Sequence, residues 1–371
     1  MEELNNDLQT EEIQEQVLPE EAIEETEQLE EKVKETESSD DPHDKNVKLM
    51  SPGRMVARRF FRSKLSVIGL VMVIGLFLFS FLGPVIYDQW GETELDRSGK
   101  MEYQSSNVTF TAENGVTYEM VQVNEKELQE NLRTGVSADH PLGTDAQGYD
   151  ILARLMYGGR ISLIVSFLAV ALITIFGVIM GGISGYFGGW IDNVIMRLCD
   201  ILTCLPGIPI LLIIYAILDA AKVDAQIRIY LLMIYLSFIS WPGTARLVRG
   251  QILSLREQEY MVAAEAMGYS TGRKIFKHLV PNVMPQLIVQ TTLSLGSMIL
   301  YEATLSYLGL GVQQPRAAWG TMIEAISKDS NIITEYPLEW VPAGICIVIA
   351  VLGFNFVGDG LRDALDPKAR R

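Results

Sequence analysis

A polar stretch, residues 254–285, separates two long apolar runs and carries the side chains best suited to contact a partner molecule. It combines carboxylates, an aromatic ring, small residues and an imidazole: Glu259, Tyr260, Ala263, Ala264, Glu265, Gly268, His278 and Pro281. These residue types form ion pairs and close helix contacts, but the sequence sets no nucleophile beside an oriented histidine. The pattern therefore predicts a docking surface and no catalytic residue.

The first part of this stretch has the signature of a helix start. Ser254 and Glu257 have the spacing of a capping box, in which hydroxyl and carboxylate each bond a free backbone N–H group. Apolar residues then follow at i, i+4 and i+7, on one helix face: Tyr260, Ala264 and Met267. We expect this face to be the apolar side of the helix.

The second part predicts a corner and a further helix. Gly268 favours the left-handed conformation that ends a helix, and Ser270 is placed to start the next one. That helix should run to His278, with Pro281 blocking its continuation. An ordinary amphipathic surface helix is the plainer alternative.

Inside the apolar runs the main chemical candidate is Glu302, the one acid deep in such a run. An ionisable group within a membrane marks a functional site by default. A carboxylate bonded to a neighbouring helix near the outer membrane surface is the other reading, and both stay open; a proton relay is less favoured. Polar residues of the same run are candidates to line a path: Ser294, Ser297 and Thr304.

Six apolar segments are long enough, or nearly so, to cross a hydrocarbon core of ~30 Å as helices. They are Leu65–Tyr87, Ile161–Phe187, Ile201–Leu218, Ile229–Ala245, Val283–Leu308 and Trp340–Val357. The third and fourth contain prolines, so we expect kinks at Pro206, Pro209 and Pro242. In the second, the spacing of Gly177, Gly181 and Gly185 predicts close contact with another helix of this chain.

Basic residues cluster before the first span, between the fourth and fifth, and after the last. They are Arg54, Arg58, Arg59, Arg62 and Lys64; Arg246, Arg249, Arg256, Arg273, Lys274 and Lys277; and Arg362, Lys368, Arg370 and Arg371. An even number of spans puts all three clusters on one face, which the positive-inside rule assigns to the cytoplasm. Both termini and the polar stretch are therefore predicted to be cytoplasmic, where ATP is.

Composition excludes several classes of protein. Residues 1–50 hold 18 of the 46 acids and 4 of the 30 bases, which predicts a disordered or transiently helical acidic tail before a nearly neutral body. The tail lacks the pattern of a signal peptide. The cysteines (Cys199, Cys204 and Cys346) lack zinc-finger spacing and are predicted to be buried thiols. Residues 268–274 lack the Gly-Lys-Ser/Thr ending of a Walker A motif, so ATP hydrolysis by this chain is not expected.

Residues 88–150 are predicted to form an insertion on the opposite membrane face. Asn114 and Gly115 lie between two strand-like runs and predict a β-hairpin, and Asn124 is placed to cap a short helix reaching Leu132. The charged residues of 140–160 are expected to form salt bridges and caps that hold the second span. At the other end of the first span, Pro52 is placed to begin a helix along the membrane surface.

The run Val262-Ala263-Ala264-x3-Gly268-x9-His278-x-Val280-Pro281 resembles the EAA loop of ABC-importer permeases. Val262 stands where that pattern has Glu; His278, where it has Ile, is usual in the peptide-importer branch. Further blocks resemble peptide permeases at residues 140–163, 185–200, 308–320 and 352–367, with Tyr149 replacing an arginine. The resemblance covers residues 140–367 in order.

This resemblance implies a permease subunit of a bacterial oligopeptide or dipeptide importer in the plasma (inner) membrane. The implied fold is an all-α polytopic membrane protein with six transmembrane helices of the type I ABC-importer kind and a small extracytoplasmic α+β insertion. The implied partners are a homologous second permease, two cytoplasmic ABC ATPases that hold ATP and Mg, an extracytoplasmic peptide-binding protein and membrane lipids, with no nucleic acid. In this family the loop docks onto the ATPase; whether Glu259 or Glu265 pairs there stays open.

The expected organisation follows from these assignments. It comprises a tail at 1–50, an interfacial helix and first span at 51–87, the insertion at 88–150, a five-helix permease core at 151–361 with coupling loop 254–281, and a C-terminal tail at 362–371. A nickel or other small-solute importer permease is the alternative within the family, although no two histidines have ligand spacing. An ion-coupled secondary transporter and a structural scaffold are the alternatives from other classes.

Overall fold

The computed structural model describes residues 52–96, 103–111, 115–125, 131–328 and 330–366, so the expected acidic tail lies outside these ranges. The first half contains α1 (Pro52–Arg62), α2 (Lys64–Ile86), β1 (Tyr103–Thr111), β2 (Thr117–Glu125), α3 (Ile151–Phe187), α4 (Gly189–Cys204) and α5 (Gly207–Ala220). The second half contains α6 (Ala225–Ser240), α7 (Pro242–Arg256), α8 (Glu259–Ala266), α9 (Thr271–Arg273), a π-helical turn (Lys274–Leu279), α10 (Val280–Tyr307), α11 (Trp319–Lys328), α12 (Ile332–Glu335), a 3-10 turn (Pro337–Glu339) and α13 (Val341–Leu365).

Helix α3 runs through the centre of the core. It has 37 residues, which makes it about 55 Å long and longer than a ~30 Å hydrocarbon core requires. Asp150 starts it by accepting a hydrogen bond from the Ala153 N–H group at 2.7 Å, and Gly188 ends it at a φ of 65°. We call the end of the bundle where α3 begins the hairpin end, and the end where it finishes the basic end.

Among the described residues, five helical stretches are long and apolar enough to cross a membrane. They are Lys64–Ile86, Ile151–Phe187, Ile227–Arg256, Thr271–Tyr307 and Pro337–Leu365, and the pair α4–α5 makes a sixth if it is one bent span. These stretches match the predicted spans in order. The multi-span helical fold that the sequence indicates is therefore confirmed.

The third predicted span, Ile201–Leu218, is bent within its length, as its prolines predict. The chain breaks between α4 and α5, whose axes differ by 79°. Leu205 precedes Pro206 and is extended, with ψ at 131°, because the proline ring disfavours helical backbone in the residue before it. The expected kink at Pro206 is thus confirmed, whereas Pro209 lies in the first turn of α5, where proline is tolerated.

The predicted close contact of the α3 glycines is confirmed, and its partner is α7. A Cβ atom added to Gly177 would lie 2.5 Å from Thr244 Cβ, and one on Gly185 would lie 2.9 Å from the Arg249 carbonyl oxygen. Real side chains do not approach that closely, so glycine is required where the two backbones meet. This contact fixes α7, and with it the start of the polar stretch, on the end of α3.

The predicted β-hairpin is also confirmed. Strands β1 and β2 pair antiparallel, with Thr111 opposite Thr117, and Gly115 has a φ of 79°. The helix predicted to start at Asn124 is wrong at that residue, because Asn124 pairs with Gln104 in the ladder. Alternating β-branched residues carry the strand past the capping signal; residues 126–130 lie outside the described ranges.

Helix α1 forms where predicted and packs on this chain through one buried aromatic side chain. Phe60 is buried and would lie 3.2 Å from a Cβ atom on Gly360 of α13, and Arg59 Nη1 donates to the Asp366 carbonyl oxygen at 3.4 Å. Its remaining arginines are exposed. The helix is therefore docked on the C-terminal end of α13 through Phe60.

Candidate functional site

The polar stretch forms a short helix–turn–helix at the basic end. Ser254 lies within α7, Glu257 follows its last residue, and Gln258 precedes α8 without a capping side-chain bond. The predicted capping box is therefore wrong. The buried Ile252 keeps α7 packed on α3 through this region, so the helix continues past the serine.

Helix α8 rests on the chain through two side chains, Met261 and Ala264, which are almost fully buried. Met261 belongs to one cluster with the buried apolar residues of α7, the π-helical turn and α10, namely Val248, Ile252, Ile275, Leu279, Val283 and Leu287. Of the predicted apolar stripe, Ala264 is buried, whereas Tyr260 and Met267 are exposed. Positions 261 and 264, at i and i+3, set the buried face instead.

The corner after α8 is built as predicted up to Pro281. Gly268 has a φ of 70°, and Ser270 precedes the next helix with extended backbone. Pro281 does not stop that helix, which runs unbroken into α10. A π-helical turn comes just before the proline, with Val280 N–H bonded to the Ile275 carbonyl, and the wider turn accommodates a residue that lacks an N–H group.

The outer side of this helix–turn–helix exposes apolar side chains. Val262, Met267 and Phe276 are 64%, 62% and 65% exposed, and Tyr260 is exposed beside them in the chain. We call these four residues the apolar set. Glu259, Ala263 and Glu265 are exposed on the same helix. Large exposed apolar side chains among charges mark an interaction surface.

His278 packs against the corner after α8. Its ring stacks on Tyr269 with centroids 5.7 Å apart, and the Arg273 guanidinium lies 4.3 Å from the centre of the Tyr269 ring. The Asn282 side chain donates to the His278 carbonyl oxygen at 2.7 Å. His278 is half-buried, so its position favours holding the corner over presenting a ligand.

Glu302 is buried and bonded to a neighbouring helix. Ser306 Oγ donates to its Oε1 at 2.8 Å, and Ser162 Oγ of α3 donates to its Oε2 at 3.0 Å. Ser162 Oγ in turn accepts from the Trp319 N–H group at 3.2 Å, at the start of α11. Of the two readings of this carboxylate, the geometry favours the one in which it holds helices together.

The other candidates for a path do not share the Glu302 face. Ser297 and Thr304 are exposed on one side of α10, where Thr304 Oγ1 donates to the Leu300 carbonyl oxygen at 2.8 Å. Ser294 is half-buried. Seven residues is nearly two helical turns, so Ser297 and Thr304 point the same way while Glu302 points into the bundle.

Comparison with models of protein families identifies the family to which this chain is similar. The model of binding-protein-dependent transport system inner membrane components matches residues 173–371, and that of the N-terminal transmembrane domain of oligopeptide transport permease C matches residues 51–100. The chain belongs to this permease family. The family that the sequence motifs indicate is therefore confirmed.

Individual relatives are similar over nearly their whole length. The dipeptide transport system permease protein DppC of Alkalihalophilus pseudofirmus is 37% identical over 89% of this chain and 94% of its own. The oligopeptide transport system permease protein OppC of Bacillus subtilis is 35% identical over the same shares. The glutathione transport system permease protein GsiD of Pectobacterium atrosepticum is 32% identical over 88% of this chain and 94% of its own.

In this permease the turn between α3 and α4 carries side chains that sequence reasoning missed. Asp192 forms a bidentate ion pair with Arg249 of α7, at 2.5 Å from Nε to Oδ1 and 2.6 Å from Nη2 to Oδ2. Arg256 Nη1 donates to the Tyr186 carbonyl oxygen at 2.9 Å. The available signal was the glycine pair 188–189, three residues before Asp192, which marks a turn but does not indicate which residues the turn contacts.

At the hairpin end the permease has a buried polar cluster around His140. His140 Nδ1 lies 2.9 Å from Asp150 Oδ2, and Nε2 lies 3.1 Å from Asp96 Oδ2. The Tyr87 hydroxyl donates to Asp150 Oδ2 at 3.2 Å; burial and the Asp150 carboxylate raise the pKa of Tyr87 well above its ordinary range. Trp90 stacks on the imidazole at 4.6 Å. This cluster provides the caps predicted to hold the start of α3.

A cavity of about 410 Å³ opens beside that cluster. Ion pairs line it: Arg133 with Glu339 at 3.1 Å, Arg154 with Asp145 at 3.3 Å, and Lys328 with Glu324 at 2.9 Å. Because its charges are matched inside the chain, the cavity offers no strong electrostatic preference for one sign of ligand. In the described part of the permease, no group of three or more His, Cys, Asp or Glu residues is arranged to hold a metal ion.

Proposed function

We propose that this chain forms half of the translocation pore of an ATP-driven peptide importer and receives mechanical work through α8. The observation that carries the proposal is the apolar set, which is exposed at the basic end beside the buried Met261 and Ala264 of α8. Such a surface fits a partner groove that is apolar at its centre and charged at its rim. The family match and the peptide permeases among the relatives support the same assignment.

The basic end is proposed to face the cytoplasm. Arg54, Arg58 and Arg62 of α1 are exposed there, as are Arg273 and Lys277 beside the corner. A bent span formed by α4 and α5 gives the even number of crossings that brings these residues to one face with both termini. The β-hairpin then lies outside the cell, where a peptide-binding protein delivers its cargo.

Coupling would proceed by rigid-body motion. Two cytoplasmic ATPases, holding ATP and Mg, close on each other and carry α8 of this chain and that of a homologous second permease with them. Met261 of α8 shares one buried apolar cluster with Ile275 and Leu279, so displacement of α8 moves α7 and α10 rather than bending the loop. Ala263 is exposed and small, which permits close approach of the groove, and Gly268 sets the angle of the corner.

A peptide is the proposed substrate because the relatives are described as dipeptide, oligopeptide and glutathione permeases. Ser297 and Thr304 remain the candidates to line the path, since they are exposed on one side of α10. A nickel permease is less well supported, because the described histidines lie apart. The break between α4 and α5 is the feature closest to an ion-coupled transporter, but the family match favours ATP as the energy source.

The test is ATP-driven uptake by the reconstituted assembly. The chain is co-expressed with the second permease and the ATPases, placed in vesicles with ATP inside, and supplied outside with binding protein and labelled peptide. We expect uptake only when ATPases and ATP are present. Uptake that follows an ion gradient without ATP would contradict the proposal.

A further inference from the structure

The turn between α3 and α4, residues 184–192, is tied to both chain segments that flank α8. On one side, Arg249 of α7 binds the Asp192 carboxylate, and Arg256 of the same helix donates to the Tyr186 carbonyl oxygen. On the other side, Lys274 of the π-helical turn places its ammonium group 5.6 Å from the centre of the Tyr186 ring. The two segments that enter and leave α8 therefore meet on one short turn.

The pair Asp192–Arg249 is the strongest of these ties. Its geometry is bidentate, the Ser184 hydroxyl donates to the same carboxylate, and the Asp192 side chain is 14% exposed. A planar guanidinium that bonds both oxygens fixes orientation as well as distance, which a single contact does not. Gly185 of the turn lies directly against Arg249 and Ile252, so the backbones are close as well.

The turn also leads straight into the broken helix pair. Gly188 ends α3 and α4 begins at the next residue, with Asp192 in its first turn. Helices α4 and α5 form the one described candidate span that is bent, by 79°. A displacement of α7 and α8 thus reaches α4 through Asp192 without passing along the chain.

We infer that Asp192 and Arg249 are positioning residues for coupling: their pair makes the α3–α4 turn move with α8 and so transmits the motion to the broken span. The inference rests on the proposed function and adds the route within this chain. Without the pair, α8 keeps its buried face on Met261 and Ala264 and still docks, but the turn no longer follows. ATP hydrolysis then continues with less transport.

The chain offers a matched control. Asp200 and Arg246 join the same helices, α4 and α7, at 2.9 Å, but they are 56% and 42% exposed and make a single ion-pair contact. Exposed pairs of this kind contribute little to stability or coupling. Neutralising Asp200 removes the same charge from the same helix as neutralising Asp192, so a general effect of net charge would appear in both.

The experiment measures peptide taken up per ATP hydrolysed by the reconstituted full assembly. Asp192→Asn and Arg249→Lys should each lower this ratio by about tenfold, within the usual range of coupling energies, while ATPase co-purification is unchanged. Asp200→Asn should leave it within about twofold. The exchange Asp192→Arg with Arg249→Asp should recover part of the ratio, since an arginine in the first turn of α4 opposes the helix dipole.

Two results would overturn the inference. One is an unchanged ratio in Asp192→Asn and Arg249→Lys assemblies that contain all subunits. The other is loss of assembly in the single and exchanged variants alike, because the pair would then serve only the fold. Failure of the proposed function looks different, since the unaltered assembly would show no ATP-driven uptake.

Discussion

Helix α3 is held at each end by an aspartate, and the two aspartates have different surroundings. At the hairpin end, Asp150 is buried, caps α3 and bonds His140 and Tyr87, so its partners come from the neighbouring loop and the end of α2. At the basic end, Asp192 binds Arg249 next to the helix–turn–helix of the polar stretch, in which Val262 and Met267 are exposed.

The difference separates a closed end from an open one. Around Asp150 every polar group named above has a partner within the chain, and an indole covers the imidazole. Around Asp192 the polar contacts are equally complete, but the apolar set beyond them is left to solvent. The hairpin end is therefore closed within the chain, whereas the basic end leaves an apolar surface of the kind that the proposed ATPase partner would cover.

The largest effect is expected at the corner of the basic end. Gly268→Val forces a β-branched residue to a φ of 70°, at a cost of about 1–2 kcal/mol, and turns α8 away from its docking angle. The chain should still insert in the membrane, but ATP-driven peptide uptake should fall at least about tenfold.

Gly272→Val is the control for this change. Gly272 is exposed and lacks the positive φ, and a Cβ atom added there would meet no other side chain within 4 Å, so uptake should persist. Normal uptake by the Gly268→Val assembly would remove the corner from the account.

An intermediate effect, of another kind, is expected at the hairpin end. Asp150→Ala removes the cap of α3 and leaves the His140 Nδ1 atom and the Tyr87 hydroxyl without this acceptor, which should cost about 1–3 kcal/mol of folding stability. The melting temperature of the purified assembly should drop, while peptide uptake per ATP hydrolysed stays the same.

Asp139→Ala tests whether this loss is specific to the buried carboxylate. Asp139 is exposed, and Tyr87 bonds its backbone carbonyl, which the substitution keeps. A lower uptake per ATP in Asp150→Ala, at a temperature where the assembly is folded, would contradict the division between a support and a coupling end.

The smallest effect is expected at Glu302. Glu302→Gln keeps the shape of the side chain, and the new amide can donate to Ser162 Oγ, which has a second lone pair beside the one that accepts from Trp319. Stability should fall by about 1 kcal/mol and uptake should continue. Loss of uptake at unchanged stability would instead favour a proton relay at Glu302.

Local patterns predicted much of this fold because each depends on neighbouring residues alone. The apolar runs, the Asn-Gly hairpin and the left-handed Gly268 follow from length, turn chemistry and backbone sterics. The predictions at Ser254 and Asn124 were wrong because each residue carries only a local capping signal. Packing of α7 overrides this signal at Ser254, and pairing of β2 overrides it at Asn124. Pro281 failed as a stop because a π-helical turn absorbs it.

The sequence predicted which segment forms the candidate site, but it did not predict which side chains of that segment are buried and which are exposed. Ala264 belongs to the motif but faces the chain itself, and Val262, which departs from the family pattern, is exposed. The pair Asp192–Arg249 joins residues far apart in the sequence, so no spacing rule indicates it. Which face of α8 is buried depends on α7 and α10, and the sequence of α8 does not specify them.

The central claim is that the apolar set, which includes Val262 of α8, contacts a nucleotide-hydrolysing partner. A thiol-linked photoreactive group at Val262→Cys tests it in the intact assembly, with the exposed Cys204 replaced by serine and the same group at Val116→Cys on the hairpin as control. The account predicts that Val262→Cys attaches to an ATPase subunit and Val116→Cys does not. An assembly that imports peptide yet gives no ATPase adduct from position 262, or gives one from position 116, would contradict it.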